Sequence, residues 1–184
     1  MRLRANRIFP WLLLAGCCLL VLSGCGYTTN VALPKDIKTM HVEIFKNNIG
    51  ITKEVSAKDK YEAYRPNLEV DLRDAIIERL FLDGHLKVSA KAYADAVLEG
   101  EIIQYRKDPL RYQNEDVREY RINLVCDIRL RSSKDSEILL EQKSLAGDTT
   151  YFTTGSLQKS EGQALKDSAS DLARLIVNKI VENW

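Results

Sequence analysis

The sequence predicts an α+β fold of element order β-α-β-β-β-α, in which two amphipathic helices cover one face of a mainly antiparallel or mixed sheet. Apolar residues at helical spacing in two segments predict the helices. Alternation of apolar and polar residues in the remaining segments predicts the strands. The chain shows no internal repeat, so a single domain is expected over residues 39–184.

The first strand is predicted over residues 39–45, where β-branched and aromatic residues roughly alternate with polar ones. A polar connection over residues 46–65 follows, and loops of that length are usually functional or disordered. The first helix is expected to begin at Pro66 or Asn67 and to end at Gly84, a residue type that suits the left-handed position after a helix. Its apolar face consists of Leu68, Leu72, Ala75, Ile76 and Leu80.

The second half of the predicted sheet consists of three long strands, which the element order counts, and one short strand before them, which it does not. They are predicted over residues 86–89, 94–105, 117–131 and 137–152. The Asp108-Pro109 pair is expected to break the first long strand, and the last strand is expected to be irregular near Gly147. Cys126 occupies an apolar position of the clearest strand and is interpreted as a small buried hydrophobe, with a reactive or metal-binding thiol as the alternative.

The last helix has a clear start signal. Ser160 and Gln163 have the spacing of a capping box, in which each side chain satisfies a free backbone amide at the other's position. The apolar face of this helix consists of Leu165, Leu172, Leu175, Ile176 and Ile180.

The beginning of the chain resembles a bacterial lipoprotein signal. Arginines precede an uncharged apolar stretch of 12 residues from Trp11 to Leu22, and Ser23-Gly24 stand directly before Cys25. The two alternatives to a lipoprotein signal are a transmembrane helix and a secretory signal without lipidation. At about 1.5 Å per residue, the apolar stretch is too short for a transmembrane helix. We therefore expect removal of residues 1–24, lipidation of Cys25 with an N-acyl and an S-diacylglyceryl group, and a tether over residues 25–38.

Removal of the signal segment leaves 24 of the 27 basic residues against 26 acidic ones, which is not the balance of a nucleic-acid-binding protein. His41 and His85 have no neighbours at catalytic or metal-ligand spacing. Glu99 and Glu101 would lie about 7 Å apart on one strand face, which overlaps the carboxylate separation in inverting glycosidases. A solvated outer strand face is the favoured interpretation, so neither catalysis, nor a metal, nor a cofactor is expected.

Basic residues near the Asp108-Pro109 pair are the candidate binding residues. Arg106, Lys107 and Arg111 cluster beside tyrosines, and cationic side chains of this kind bind phosphates and carboxylates. An anionic lipid headgroup would fit such a surface. Further arginines are expected on the outward face of the clearest strand: Arg118, Arg121, Arg129 and Arg131. The alternative is an ordinary face of mixed charge, because acidic residues are interleaved with the basic ones.

The chain resembles the LptE family of lipopolysaccharide-assembly lipoproteins in four segments. The lipidated start Cys25-Gly26-Tyr27, the helix opening at Pro66, the strand over residues 94–102 and the long final helix from Ser160 are similar to those of the family. Other envelope lipoproteins have strands similar to the third of these segments.

The resemblance implies a function without catalysis and without a cofactor. Such a lipoprotein lies at the periplasmic face of the outer membrane and occupies the lumen of the β-barrel LptD. It assists assembly of that barrel and contacts lipopolysaccharide during transport to the cell surface. Gly26 favours the outer over the inner membrane. The alternative is an envelope lipoprotein that regulates a peptidoglycan synthase or forms part of a secretion channel.

Overall fold

The computed structural model describes residues 36–49 and 66–182. The predicted signal segment, Cys25, most of the predicted tether and most of the 46–65 connection lie outside the described residues.

The described residues form six strands, two α-helices and one short 3-10 turn. The strands β1 to β6 are Thr39–Val42, Lys46–Asn47, Lys87–Val88, Ala96–Gln113, Asp116–Ser132 and Ile138–Phe152. The helices α1 and α2 are Leu68–Asp83 and Glu161–Val181, and the 3-10 turn Lys91–Tyr93 lies between β3 and β4.

The strands form one sheet of order β3-β1-β4-β5-β6, in which β2 also pairs with β4. Strand β1 is parallel to both of its neighbours, β3 and β4, and β2 is parallel to β4. Strands β4, β5 and β6 form an antiparallel ribbon. The structure thus confirms the predicted fold class, an α+β fold with two helices and a mixed, mostly antiparallel sheet.

The core lies between the helices and one face of this sheet, and alternating apolar residues of the strands supply its sheet side. Cys126 is one of them and is fully buried. Burial raises the pKa of its thiol to about 12, with a smaller contribution from the charge of Asp127. The interpretation of Cys126 as a small buried hydrophobe is therefore confirmed.

The first predicted strand ends at Val42, three residues earlier than expected, and a second short strand, β2, lies at the start of the predicted polar connection. Phe45 is 2% exposed, and its ring covers Gly100 so closely that a Cβ atom at Gly100 would lie 2.1 Å from the ring. The approximate alternation of apolar and polar residues correctly indicated an extended segment. It did not indicate that residues 43–45, where Phe45 packs on Gly100, interrupt the strand pairing.

The expectation that Asp108-Pro109 breaks the strand is wrong. Strand β4 continues through both residues, which pair with Arg121 and Tyr120 of β5. Within the described residues, the pairing of β1 and β2 with β4 ends at Ile102, so Pro109 lies where β4 has a neighbour on one side only. Proline is tolerated in such an edge position because its missing N–H is not needed there.

The β4–β5 turn lies at Asn114-Glu115 instead, and both residues have a positive φ, of 49° and 72°. Two left-handed residues in succession form the tight hairpin turn whose twist matches that of its strands. Strand β6 is irregular at Lys143 and Ser144, close to the expected irregularity near Gly147.

The predicted helix ends are largely as expected. Gly84 is left-handed, and its N–H donates to the carbonyl oxygen of Leu80 at 3.0 Å. At the start of α2 the hydroxyl of Ser160 accepts from the N–H of Gln163 at 3.2 Å. The capping box is only half formed, however, because the Gln163 side chain donates to Asp167 instead. Neither helix in the described ranges is both long and apolar enough to cross a membrane.

Candidate functional site

The sheet face opposite to the helices, here called the outer face, has charged side chains along most of the antiparallel ribbon, interrupted by the uncharged row of Gln104, Val125 and Ala146. One row across the ribbon consists of Glu99, Arg129 and Glu141, which are paired in register on β4, β5 and β6. Arg129 Nη2 donates to Glu141 Oε1 at 2.7 Å, and Arg131 Nε donates to Glu99 Oε2 at 3.2 Å. The hydrogen bond between Arg129 and Glu141 raises the pKa of the arginine and lowers that of the glutamate.

An open cavity of about 430 Å³ lies on this face. Its lining includes Glu99 and Glu101, together with basic residues such as Lys46 and Arg129. The two glutamates thus lie on the outer face, as the favoured interpretation of the sequence expected. The lining has five carboxylates and three basic side chains, so this cavity suits a cationic or mixed-charge partner better than an anion.

The three candidate cations Arg106, Lys107 and Arg111 all lie on the part of β4 beyond β1 and β2, and each has an acidic partner. Arg106 Nε lies 2.7 Å from Asp108 Oδ2, and Arg111 Nε lies 3.5 Å from Glu119 Oε2. Lys107 Nζ lies 2.5 Å from Glu161 Oε2, at the start of α2.

The three cations do not share one surface. Lys107 pairs in register with the buried Ile122, which places it on the helix side of the sheet, whereas Arg106 pairs with Asn123 on the outer face. Arg111 pairs with Glu119, also on the outer face, and its guanidinium lies 5.9 Å from the ring centre of Phe152. The structure therefore brings Arg106 and Arg111 to the same face and separates Lys107 from them.

Lys107 belongs to a packed cluster between β4, β5, β6 and α2. Its ammonium lies 4.2 Å from the ring centre of Tyr120, which stacks on Tyr151 at 5.7 Å. The hydroxyl of the buried Tyr105 donates to the other carboxylate oxygen of Glu161 at 3.1 Å. These contacts fix the start of α2 on the sheet, so Lys107 has a structural role.

Three of the four arginines expected on the outward face of β5 lie there and have acidic neighbours, since Arg121 Nε lies 4.0 Å from Asp148 Oδ2 and the other two contact Glu141 and Glu99. The expectation for Arg118 is wrong, because this residue lies on the helix side of β5. It is two residues from Tyr120, which packs against the core on that side. Its guanidinium donates to the hydroxyl of Thr154 at 3.0 Å.

Each histidine contacts one neighbouring oxygen of the fold. His41 Nδ1 lies 3.0 Å from the carbonyl oxygen of Ser89, and His85 Nδ1 lies 2.6 Å from Asp83 Oδ1. Within residues 36–49 and 66–182, no three histidine, cysteine, aspartate or glutamate side chains are placed to hold a metal ion.

The role of Asp95 was not predicted from the sequence. One oxygen of its carboxylate accepts from the backbone N–H groups of Lys38 and Thr39, at 3.0 Å each, and from the Thr39 hydroxyl at 2.8 Å. These hydrogen bonds, that of the hydroxyl first, lower the pKa of Asp95. An aspartate directly before an apolar strand was the available signal, because its short side chain readily binds nearby backbone N–H groups.

Asp95 and Gly100 explain how the segment over residues 94–102 contributes to the fold. Asp95 fastens the start of β1, Gly100 leaves room for Phe45, and the apolar positions between them, such as Leu98, enter the core. The segment is thus the place where the N-terminal part of the domain is attached to the antiparallel ribbon.

A family model described as LptE, lipopolysaccharide-assembly, matches residues 37–180, which is most of the chain and includes nearly all described residues. This chain belongs to the LptE family. At family level it is accordingly a lipopolysaccharide-assembly lipoprotein of the outer membrane.

Solved structures show weaker likeness to this LptE-family chain. A protein from Xanthomonas campestris has 10% identity and a TM-score of 0.49, over 85% of this chain and 93% of that one. The PelC dodecamer from Paraburkholderia phytofirmans has 16% identity and a TM-score of 0.44, over 85% and 92%. The rare lipoprotein B from Shewanella oneidensis has 14% identity and a TM-score of 0.39, over 77% and 94%.

These TM-scores are too low for the three likenesses to bear on the function of this chain. Among curated proteins, none matches the chain.

Proposed function

We propose that this chain is a lipid-anchored plug of the outer-membrane β-barrel LptD, which it helps to assemble, and that it takes part in lipopolysaccharide transport to the cell surface without catalysing a reaction. Membership of the LptE family is the observation that carries this proposal. LptD is the proposed partner because proteins of the LptE family work with LptD in lipopolysaccharide transport.

The outer face supports the proposal physically. The lumen of a large outer-membrane barrel is polar, so a plug needs a surface that tolerates contact with charged and hydrogen-bonding groups. The ion-paired rows of the outer face meet this need, because both signs of charge are available along the ribbon.

The anchor of the proposal is Cys25, with residues 1–24 removed and diacylglyceryl and acyl groups added. Two or more acyl chains hold a protein stably on a membrane, whereas one chain holds it only marginally. This arrangement would keep the domain at the periplasmic face of the outer membrane.

Purification of the tagged full-length chain from its own host in mild detergent, with mass spectrometry of the associated proteins, tests this function. We expect a large outer-membrane barrel in near-equal amount and an N-terminal Cys25 peptide that carries three acyl chains. Recovery of a peptidoglycan synthase or of a homo-oligomeric ring in place of the barrel would contradict the proposal and support the alternative lipoprotein functions.

For lipopolysaccharide contact we propose Arg106, Lys107 and Arg111, and the structure allows their contributions to be separated. The side chains of Arg106 and Arg111 are 47% and 67% exposed, whereas that of Lys107 is 19% exposed. The two arginines can therefore reach a phosphate directly, while Lys107 contributes mainly by holding the strand against α2.

The double variant Arg106→Ala/Arg111→Ala should bind immobilised lipopolysaccharide several-fold more weakly at an unchanged melting temperature. Lys107→Ala should lower the melting temperature and affect binding less. Arg174→Ala on α2 is the matched control, because this exposed arginine also has an acidic neighbour, Asp171 at 2.6 Å. Equal binding by the double variant and by the Arg174→Ala control would remove the two arginines from the contact.

A further inference from the structure

The described chain begins at one end of the sheet, here called the tether end. Asp36 Oδ2 lies 2.7 Å from Lys134 Nζ in the β5–β6 turn. The carboxylate of Asp95, directly before β4, accepts from the N–H groups of Lys38 and Thr39 at the start of β1. The preceding residues therefore join the domain at this end. The opposite end is the β4–β5 hairpin, about 55 Å away for a strand of this length.

Three large apolar side chains at the tether end are unusually exposed. Phe81 and Leu82 are 70% and 74% exposed in the last turn of α1, and Tyr93 is 82% exposed in the 3-10 turn. The chain leaving α1 enters β3, where Lys87 pairs with Thr39. The carbonyl oxygen of Tyr93 accepts from the hydroxyl of the same Thr39 at 3.3 Å.

We propose that the tether end rests on the membrane that holds Cys25, with Phe81, Leu82 and Tyr93 entering the boundary between lipid headgroups and acyl chains. This inference rests on the lipid anchor of the proposed function. Aromatic residues are enriched at that boundary, and apolar side chains gain free energy by leaving water there.

The length of the intervening chain requires proximity to the membrane. The chain from Cys25 to Asp36 spans at most about 40 Å even when fully extended. The tether end is thus held within about 40 Å of the membrane, a tighter bound than the chain length sets for any other part of the domain.

A fluorescent probe at Leu82 tests the contact. The full-length variant Leu82→Cys is produced in a host that processes lipoproteins, labelled with an environment-sensitive fluorophore and placed in vesicles of phosphatidylethanolamine and phosphatidylglycerol. The buried Cys126, with its pKa raised to about 12, resists labelling. Mass spectrometry verifies that each chain carries one label and an acylated Cys25.

Leu157→Cys is the matched control, because Leu157 is 71% exposed but lies in the loop after β6, towards the distal hairpin. We expect a blue-shifted emission and several-fold stronger quenching by nitroxide-labelled lipids at position 82 than at position 157. The additional changes Phe81→Ser and Tyr93→Ser should lower the quenching at position 82.

Three other outcomes would overturn the inference. Equal, weak quenching at both positions on vesicle-bound protein would reject the contact and leave the anchor intact. Absence of the chain from floated vesicles would reject the anchor and the contact together. Protection of position 82 only in the co-purified barrel complex would assign the three side chains to the barrel wall, and co-purification itself reports separately on the proposed function.

Discussion

At the scale of single residues, Gly100 and Asp95 join the two parts of the sheet by different physics. Gly100 contributes by the absence of a side chain, which allows the Phe45 ring to lie on its backbone. Asp95 contributes by a charge, because three donors from Lys38 and Thr39 converge on one of its oxygens.

The variant Gly100→Ala should be destabilised by about 1–3 kcal/mol, because the added methyl group would displace a buried ring from a well-packed site. Urea unfolding followed by circular dichroism measures the change. Gly162→Ala is the control, since a Cβ atom at that position would meet open space and helix α2 favours alanine there. A free energy of unfolding for Gly100→Ala equal to that of the wild type would mean that Phe45 moves away without cost.

The lowered pKa of Asp95 predicts a pH-dependent contribution to stability. A carboxylate whose pKa is lower in the folded state stabilises the fold above its unfolded pKa of about 3.9, and this contribution is lost as the pH falls through the folded value. Asp95→Asn should therefore be less stable than the wild type at pH 7, and the difference should shrink on acidification below about pH 4.

Thermal unfolding from pH 7 to pH 2.5 measures this difference. Thr39→Val should reduce the same pH dependence, because it removes the donor that lowers the pKa of Asp95 most. A difference between wild type and Asp95→Asn that stays constant over the whole pH range would contradict the charge-based explanation.

At the scale of elements, the start of α2 is attached to the ribbon through Glu161. Its carboxylate accepts from both Lys107 and Tyr105, and it lies in the first turn of the helix, where negative charge is favoured by the helix dipole. Glu161→Ala should therefore lower the free energy of unfolding by about 1–2 kcal/mol, as expected for partly buried hydrogen bonds to a charged group.

Chemical denaturation of Glu161→Ala and Glu161→Gln measures this contribution. The glutamine variant should lose less, because it keeps a side chain able to accept from Tyr105. The control Glu182→Ala, after the end of α2, should leave the stability nearly unchanged. Loss of equal size in the Ala and Gln variants would assign the effect to the charge alone.

The elements were predictable to different degrees. The alternation of apolar and polar residues predicted β5 to within one residue at each end, because one face of this strand enters the core. Gly84 and Ser160 indicated helix ends through their intrinsic backbone and hydrogen-bonding preferences. The path through Asp108-Pro109 was not predictable from local signals. Whether a proline ends a strand depends on whether a neighbouring strand needs its N–H, and that is a property of the sheet.

The candidate binding residues show the same limit. Arg106, Lys107 and Arg111 were grouped because they are close in sequence. Successive side chains of a strand point to opposite faces, however, and Lys107 lies on the helix side, where it contacts Glu161 of α2. The outward direction of Arg129 and Arg131 was predictable, since they alternate with buried residues. Their acidic partners on β4 and β6 depend on register and could not be read from β5 alone.

At the scale of the whole molecule, the proposed function makes the outer face the surface that would meet a barrel lumen. The double variant Arg129→Gln/Arg131→Gln removes two cations from the tether-end part of this face and leaves Leu130, the core residue between them, unchanged. We expect several-fold less barrel to co-purify, because unpaired carboxylates on Glu99 and Glu141 would then face the partner.

Mass spectrometry of the purified complex measures this ratio, and a melting curve of the isolated variant verifies its fold. Arg174→Gln on the exposed surface of α2 is the control and should retain normal barrel recovery. Full barrel recovery by the double variant would show that the partner binds elsewhere on the chain.

The position of β1 determines how the domain would bear a mechanical load. Strand β1 lies between β3 and β4 and is parallel to both, and the N-terminal chain leaves from its first residues. A pull on the proposed anchor would therefore act along the strand and load its hydrogen bonds to both neighbours, with those of Asp95, at the same time. An edge strand pulled in the same direction would be held by one neighbour only, so the central position of β1 adds hydrogen bonds that resist the shear.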